Sequence, residues 1–274
     1  MGRFGKLLRR FWRKPLAMVG LVIVVGMIVM ALFAPQLAPH DPLKPDFLAF
    51  LQPPSEKYRL GTDELGRDVL SRVIFGARAS LSAGLVSMTI ALLIGVPVGL
   101  LSGYYRGFVD EYIVMRLADA MMAFPVIVIA LALAAVLSPS LSTAMLAIGV
   151  VYAPVFMRLT RGQVLEVRQA EYVEAARAIG AGNAAILLRH ILPNIMAPVL
   201  VQASLGVASA ILVEAALSFL GLGVQPPTPS WGSMLRLGFG YLDRAPWASF
   251  WPGLAIFLTV AGVNLIGDAV RTKR

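Results

Sequence analysis

The sequence contains no cysteine. Disulfides, thiolate metal sites and thiol nucleophiles are therefore excluded. Histidine is nearly absent too, and His40 and His190 lie too far apart in the chain to form a local metal motif. Charge is scarce: Asp, Glu, Lys and Arg make up 14% of the residues, where an ordinary soluble domain has about 25%. No G-x-x-x-x-G-K-[ST] loop is present, so the chain has no phosphate cradle for ATP. The patterns H-E-x-x-H and G-x-S-x-G are missing as well, which argues against a zinc hydrolase or a serine hydrolase. Repetition at the short periods of solenoids is not evident.

What the chain has instead is apolar surface. Hydrophobic residues make up 58% of its 274 positions and the mean hydropathy is +0.77. Several apolar runs reach the ~18 residues that mark a transmembrane helix. We read the chain as an all-α polytopic membrane protein with six spans. They run from about Leu16 to Ala34, Ala79 to Gly103, Ile113 to Leu137, Leu141 to Leu159, Asn194 to Gly221 and Ala248 to Ala269. The first follows a basic head (Arg3, Lys6, Arg9, Arg10, Arg13, Lys14) and is too long for a signal-peptide core, so it reads as a retained anchor. The fifth is longer than a bilayer needs, which implies tilt or a break.

The net charge of +9 would suggest nucleic acid in a soluble protein. In a membrane protein it sets orientation. With both termini inside, the inner segments hold 15 Lys and Arg and the outer segments hold 8. The bias favours N-in and C-in. The resulting units are residues 1–38 (head and anchor), 39–78 (outer loop), 79–269 (five spans, with an inner loop at 160–193) and 270–274 (tail).

The outer loop begins with six prolines in twenty residues, at 35–54, which predicts irregular backbone. Then comes LGTDELGRDVLSRVIFGARASL, in which Thr62 reads as the cap of an amphipathic helix starting at Asp63. Asp63–Arg67 and Asp68–Arg72 would pair at i, i+4 along it, and Leu65, Val69 and Val73 would make one apolar stripe. That helix would lie at the membrane interface or serve as a docking surface for an outer partner.

The inner loop contains AEYVEAARAIGAGNAAILLRHILPN. Its Ala, Glu and Arg content predicts a short helix from about Ala170 to Ile179, closed by Gly180 or Gly182, with Pro193 opening the next helix. Ala175, Ala176 and Ala178 leave room for a neighbouring backbone, and Glu171, Glu174 and Arg177 surround them with charge. That is the form of a docking helix, although a solvated helix–turn without a partner fits the composition equally well.

Within the spans, Gly95, Gly99 and Gly103 form a small-residue ridge, and Pro97 and Pro125 permit kinks. Arg116 and Asp119 lie three apart near the inner end of the third span and read as a mutual ion pair. Glu214 lies in the fifth. Intramembrane charges face protein or water. Asp119 and Glu214 are therefore candidates for the translocation pathway or its gate, with a structural hydrogen bond an equal reading for Glu214.

Glu174-Ala175-Ala176, three residues, Gly180, a gap and Leu192-Pro193 resemble the EAA motif of ABC importer permeases. The common form has Ile two places before the Leu, where this chain has His190. LGTDELGRDVLSRVIFGARASL and EAALSFLGLGVQPPTPSWGSML resemble segments of the peptide/nickel branch, in its second permease subunit, and the likeness covers nearly the whole chain. The resemblance implies a type I ABC importer transmembrane domain in a bacterial or archaeal plasma membrane. It also implies a second homologous permease, two cytoplasmic ATP-binding subunits that hold ATP and Mg, and an extracytoplasmic solute-binding protein. The chain itself would bind no cofactor, metal or nucleic acid and would have no catalytic residue. Glu171, Glu174, Ala175, Ala176, Arg177 and Gly180 would contact the ATPase. Transport of peptides by alternating access is the implied function. Nickel or another small solute is the alternative cargo, and an ATP-independent channel, a secondary transporter or a membrane enzyme are the competing classes.

Overall fold

The computed structural model describes residues 14–271. The basic head from Arg3 to Arg13 and the last three residues fall outside that range. Among the described residues the chain is helical, with no strand beyond one isolated bridge between Thr62 and Asp68. Among the described residues five helices are long and apolar enough to cross a membrane, and a bent pair makes six if its two helices count as one span.

Helix α1 (Pro15–Leu32) runs to one end of the bundle, and a short helical turn at Ala34–Leu37 follows it. Helix α2 (Val69–Tyr105) returns, starting ten residues before the apolar run does, because its first turns pack into the loop layer rather than into lipid. The stretch read from the sequence as the third span consists of α3 (Val109–Met122) and α4 (Val126–Val136), which meet at 97°. The kink expected at Pro125 is thus a full break. Proline lacks the N–H and disfavours helical backbone in the residue before it, and Pro125 takes an extended ψ of 130° as it caps α4. Helix α5 (Leu141–Val167) is followed by α6 (Glu171–Ala178), α7 (Asn183–Phe219), α8 (Trp231–Phe239) and α9 (Trp247–Arg271).

The sequence reading starts the fifth span at Asn194 with Pro193 opening it. The helix instead begins at Asn183 and passes through Pro193. A π-helical turn at Ile186–Ile191 precedes that proline and widens the backbone just where its ring would crowd the preceding turn. Gly182, read as a possible C-cap, is the N-cap of this helix.

The most extensive packing is between α2 and α5. They run parallel: Gly95 lies against Ala153 and Phe156, Gly99 against Met157 and Thr160, and Gly103 against Arg161 and Val164. A Cβ on Gly99 would stand 2.5 Å from the Met157 carbonyl oxygen. The ridge therefore brings two backbones together where no larger residue fits. Ser87 Oγ donates to the Met145 carbonyl at 3.0 Å further along the same interface. Helix α7 runs antiparallel to α2, with Gly84 against Val207 and Ile211 and Met88 against Gly206. Helix α1 packs on α9 through Gly20 and Gly262. Lys14 Nζ donates to the Ala269 carbonyl at 3.2 Å, so both ends of the described chain lie at one end of the bundle.

Replacing Gly99 by leucine is expected to cost about 1–3 kcal/mol through overpacking. Gly26→Leu, at a position where an added Cβ meets no atom within 4 Å, is expected to be neutral. Thermal melting of the two purified variants in detergent checks the contrast.

Candidate functional site

Helix α6 sits at the end of the bundle where α2 and α5 finish and α7 begins. It starts at Glu171 after Ala170, close to the range expected from the sequence. Eight residues do not form a stable helix alone in water. This one is held by burial of Val173 and Ala176 into a cluster of Leu100, Tyr104, Val164, Ile186, Leu187, Ile191 and Ile195. Its C-terminus closes with two reverse bonds, Gly180 N–H to the Arg177 carbonyl and Ala181 N–H to the Ala176 carbonyl. Gly180 has φ +83°, the left-handed backbone that this cap requires.

The predicted contact residues therefore divide. Glu171, Glu174, Ala175, Arg177 and Gly180 are exposed, together with Tyr172 and Ile179. Ala176 faces inward and anchors the helix to its own chain. An alanine four residues before the left-handed glycine lies on the buried face, which the motif alone does not reveal.

Around α6 the polar side chains link helices. Arg168 Nη1 donates to the carbonyls of Gly103 and Tyr104 at 3.2 and 3.1 Å, joining α5 to the end of α2. Tyr104 Oη donates to Asn183 Oδ1 at 2.7 Å, joining α2 to α7. Asp110, at the start of α3, accepts a forked pair from Arg161, Nε to Oδ1 at 2.9 Å and Nη2 to Oδ2 at 2.7 Å, and also a hydrogen bond from Ser102 Oγ. Neither Asp110 nor Arg161 was singled out by the sequence. The only signal was an acid close to the end of an apolar run, and its partner is 51 residues away.

Asp119 is half-exposed and pairs with Arg158 Nη1 at 3.5 Å, not with Arg116. The i, i+3 spacing suggested a local pair, but the break at Pro125 places this stretch of α3 beside α5. Glu214 is fully buried inside the chain. It accepts from Ser218 Oγ at 2.7 Å, with the hydroxyls of Ser80 and Ser230 beside it. It lines no open surface of this chain.

The opposite end carries the largest departure from expectation. Residues 62–68 are not helical. Thr62 and Asp68 bridge a tight loop, and α2 starts at Val69 with Asp68 as its N-cap. Asp68 Oδ2 accepts from Ser71 N–H and Oγ and lies 3.4 Å from His40 Nδ1. Asp68 is thus engaged elsewhere, and Arg72 turns to Asp63 at 3.2 Å and to the Pro42 carbonyl. Asp63–Arg67 forms as expected at 2.8 Å, and Arg67 also reaches Glu64 at 2.8 Å. Val69 and Val73 are buried, whereas Leu65 is exposed. Gly66, at φ +72°, lets the loop pass the Asp46 carbonyl with no room for a Cβ. Trp247 Nε1 donates to the Thr62 carbonyl and Trp231 Nε1 to the Val73 carbonyl. This is a folded lid of buried charges seated on tryptophans, not an amphipathic surface helix.

Comparison with known proteins matches residues 95–272 to the family described as binding-protein-dependent transport system inner membrane component. Residues 3–54 match the N-terminal TM domain of oligopeptide transport permease C. The chain is 48% identical over 257 residues to the probable D,D-dipeptide transport system permease protein of Escherichia coli K12, covering 94% of this chain and 86% of that one. It is 46% identical over 276 residues to the di/tripeptide transport system permease protein of Pseudomonas aeruginosa UCBPP-PA14, covering 96% and 90%. The fold is similar to a chain of the MetNI methionine ABC transporter solved in inward-facing conformations, with TM-score 0.61, 20% identity and coverage of 75% and 98%.

Two changes test the buried charge cluster. Arg67→Ala leaves Glu64 without its partner and is expected to cost about 3–5 kcal/mol in detergent melts. Burial pushes the Glu64 carboxyl upward and Asp63 adds to this, against the pull of Arg67 and Arg72. A carboxyl that holds its proton more tightly folded than unfolded stabilises the fold as pH falls through its folded value. The parent should therefore gain stability relative to Glu64→Gln as pH is lowered from about 7 to about 4, and a pH series of melts reads the sign.

Proposed function

The chain belongs to the family of binding-protein-dependent transport system inner membrane components, and from that premise we propose that it is the permease subunit of an ATP-driven importer of di- and oligopeptides. It is a multi-pass inner membrane protein of the ABC transporter permease class, with ATP-binding and substrate-binding partners. We place the two termini and α6 on the cytoplasmic side, following the excess of Lys and Arg at that end. The assembly we propose pairs this chain with one homologous permease, two ATP-binding subunits that hold ATP and Mg, and one extracytoplasmic solute-binding protein. The chain has no ATPase site or cofactor of its own. Its units are residues 1–38, 39–78, 79–269 and 270–274.

One observation carries the coupling role. An eight-residue helix hangs from the end of the bundle by two buried side chains and offers Glu171, Glu174, Ala175 and Arg177 outward. Chemistry that hydrolyses ATP in another chain needs such a handle. Binding of ATP would close the ATP-binding subunits and move α6, and the bundle would open outward to receive peptide. Hydrolysis would reset it. Peptide is favoured over nickel because the relatives are named for dipeptide and di/tripeptide transport. We assign Asp119 to the pathway, since a half-exposed acid on a spanning segment faces water or protein. Glu214, enclosed by serines, is assigned to packing.

Gly180 separates a partner contact from local strain. An added Cβ there meets no atom of this chain within 4 Å, but the backbone is left-handed. Gly180→Ala carries only the strain, about 1–2 kcal/mol, and should keep most uptake of a labelled dipeptide. Gly180→Trp and Glu174→Lys should insert normally and lose uptake by about ten-fold or more. Wild-type uptake in the last two contradicts the assignment.

A further inference from the structure

The break at Pro125 leaves α3 as a separate rod joined to the bundle by few elements, and polar contacts fasten it to α5. The deeper one is Asp110, 5% exposed, which takes the forked guanidinium of Arg161 and the hydroxyl of Ser102 together. It therefore joins three helices, α2, α3 and α5, at a single carboxylate. The second is Asp119–Arg158, one turn earlier on α5 and half-exposed. Asp110 lies in a π-helical turn, Val109–Val114, that opens α3 after Gly107 and the N-cap Phe108. Such turns interrupt the regular ladder of helix bonds and are frequent where a helix must adjust. Ser102 and Arg161 flank the glycine ridge at Gly99 and Gly103, and α5 runs on without interruption into the turn before α6.

From this geometry we propose that the Ser102–Asp110–Arg161 clamp makes α3 travel as one body with α2, α5 and α6, so that displacement of α6 reaches the broken span. Arg161 and Asp110 are positioning residues: they touch neither ATP nor peptide. A forked charge-assisted pair resists both rotation and sliding, which a single hydrogen bond does not. The inference rests on the docking of α6 to an ATP-binding subunit proposed above.

The test uses the complete transporter with its ATP-binding and solute-binding subunits, reconstituted in lipid, and three variants: Arg161→Ala, Asp110→Asn and Arg161→Lys. With Arg161→Ala and Asp110→Asn the ATP-binding subunits should still assemble and hydrolyse ATP. The maximal rate of dipeptide uptake should fall about ten-fold or more, while the KM for peptide stays the same. Arg161→Lys keeps the charge and should recover part of the rate. This chain has no native cysteine, which permits a second readout, spin labels at the exposed Leu117 of α3 and the exposed Gln169 in the turn before α6. In the parent their separation should stay fixed when ATP is added, and in Arg161→Ala it should broaden or shift.

Uptake that stays coupled to hydrolysis in Arg161→Ala overturns the inference. So does a fall of hydrolysis and uptake in equal proportion, which is the mark of lost folding alone. A label separation that changes with ATP in the parent, or stays fixed in Arg161→Ala, overturns it too. Failure of the docking reading is seen separately, as subunit assembly and hydrolysis that ignore Gly180→Trp and Glu174→Lys.

Discussion

The close contact of α2 and α5 is the constraint on which the rest of this structure depends. In lipid there is little hydrophobic gain from bringing two apolar helices together, and packing has to supply the association. Three glycines spaced four apart supply it by letting the backbones touch over about two turns of helix, roughly 12 Å. Because the two helices run parallel, their ends coincide. One shared end carries Arg168 on the Gly103 and Tyr104 carbonyls, and it is from this end that α6 hangs. Close contact along the ridge fixes where the two helices end, and with it the place from which α6 hangs.

The opposite end solves a different problem. A proline-rich loop with little regular structure is closed on itself by backbone bonds, among them Asp46 N–H to the Leu65 carbonyl, Leu51 N–H to the Asp63 carbonyl and Thr62 N–H to the Gln52 carbonyl. Charges taken out of water and paired add to that order: Asp63 with Arg67 and Arg72, Glu64 with Arg67, Asp68 with Ser71 and His40. Tryptophans from α8 and from the start of α9 anchor this layer to backbone carbonyls. Glu214 with its serines extends the same theme one layer deeper. The chain thus spends its scarce charge at the two ends of the bundle, as a lid at one and as fastenings and an exposed helix at the other.

Much of this was legible in the residues. The spans stand out because bilayer thickness fixes their length and apolar runs report it, and the glycine ridge and the left-handed Gly180 follow from what only glycine permits. The helix expected from about Ala170 to Ile179, found at Glu171–Ala178, was visible from composition and from the EAA pattern. Partner choice was not. Arg72 was expected to meet Asp68 and Asp119 to meet Arg116, because spacing along a helix is the only geometry a sequence displays. Asp68 is already committed to the cap of α2, and α3 turns away at Pro125, so both arginine and acid find partners elsewhere. Asp110 was invisible for the same reason, since its importance comes from Arg161 on another helix. Ala176 shows the limit of a motif: it belongs to the EAA triplet, yet it faces its own chain.

The central claim is that ATP's energy enters this chain through the exposed face of α6. The most direct test places a photo-crosslinking amino acid at Ile179, which is 86% exposed at the tip of that helix, in the assembled transporter. The account predicts that irradiation joins this chain to an ATP-binding subunit in high yield, and that the same probe at Val173, on the buried face, does not. A probe at Ile179 that captures only lipid or the other permease, while the complex hydrolyses ATP, would contradict it.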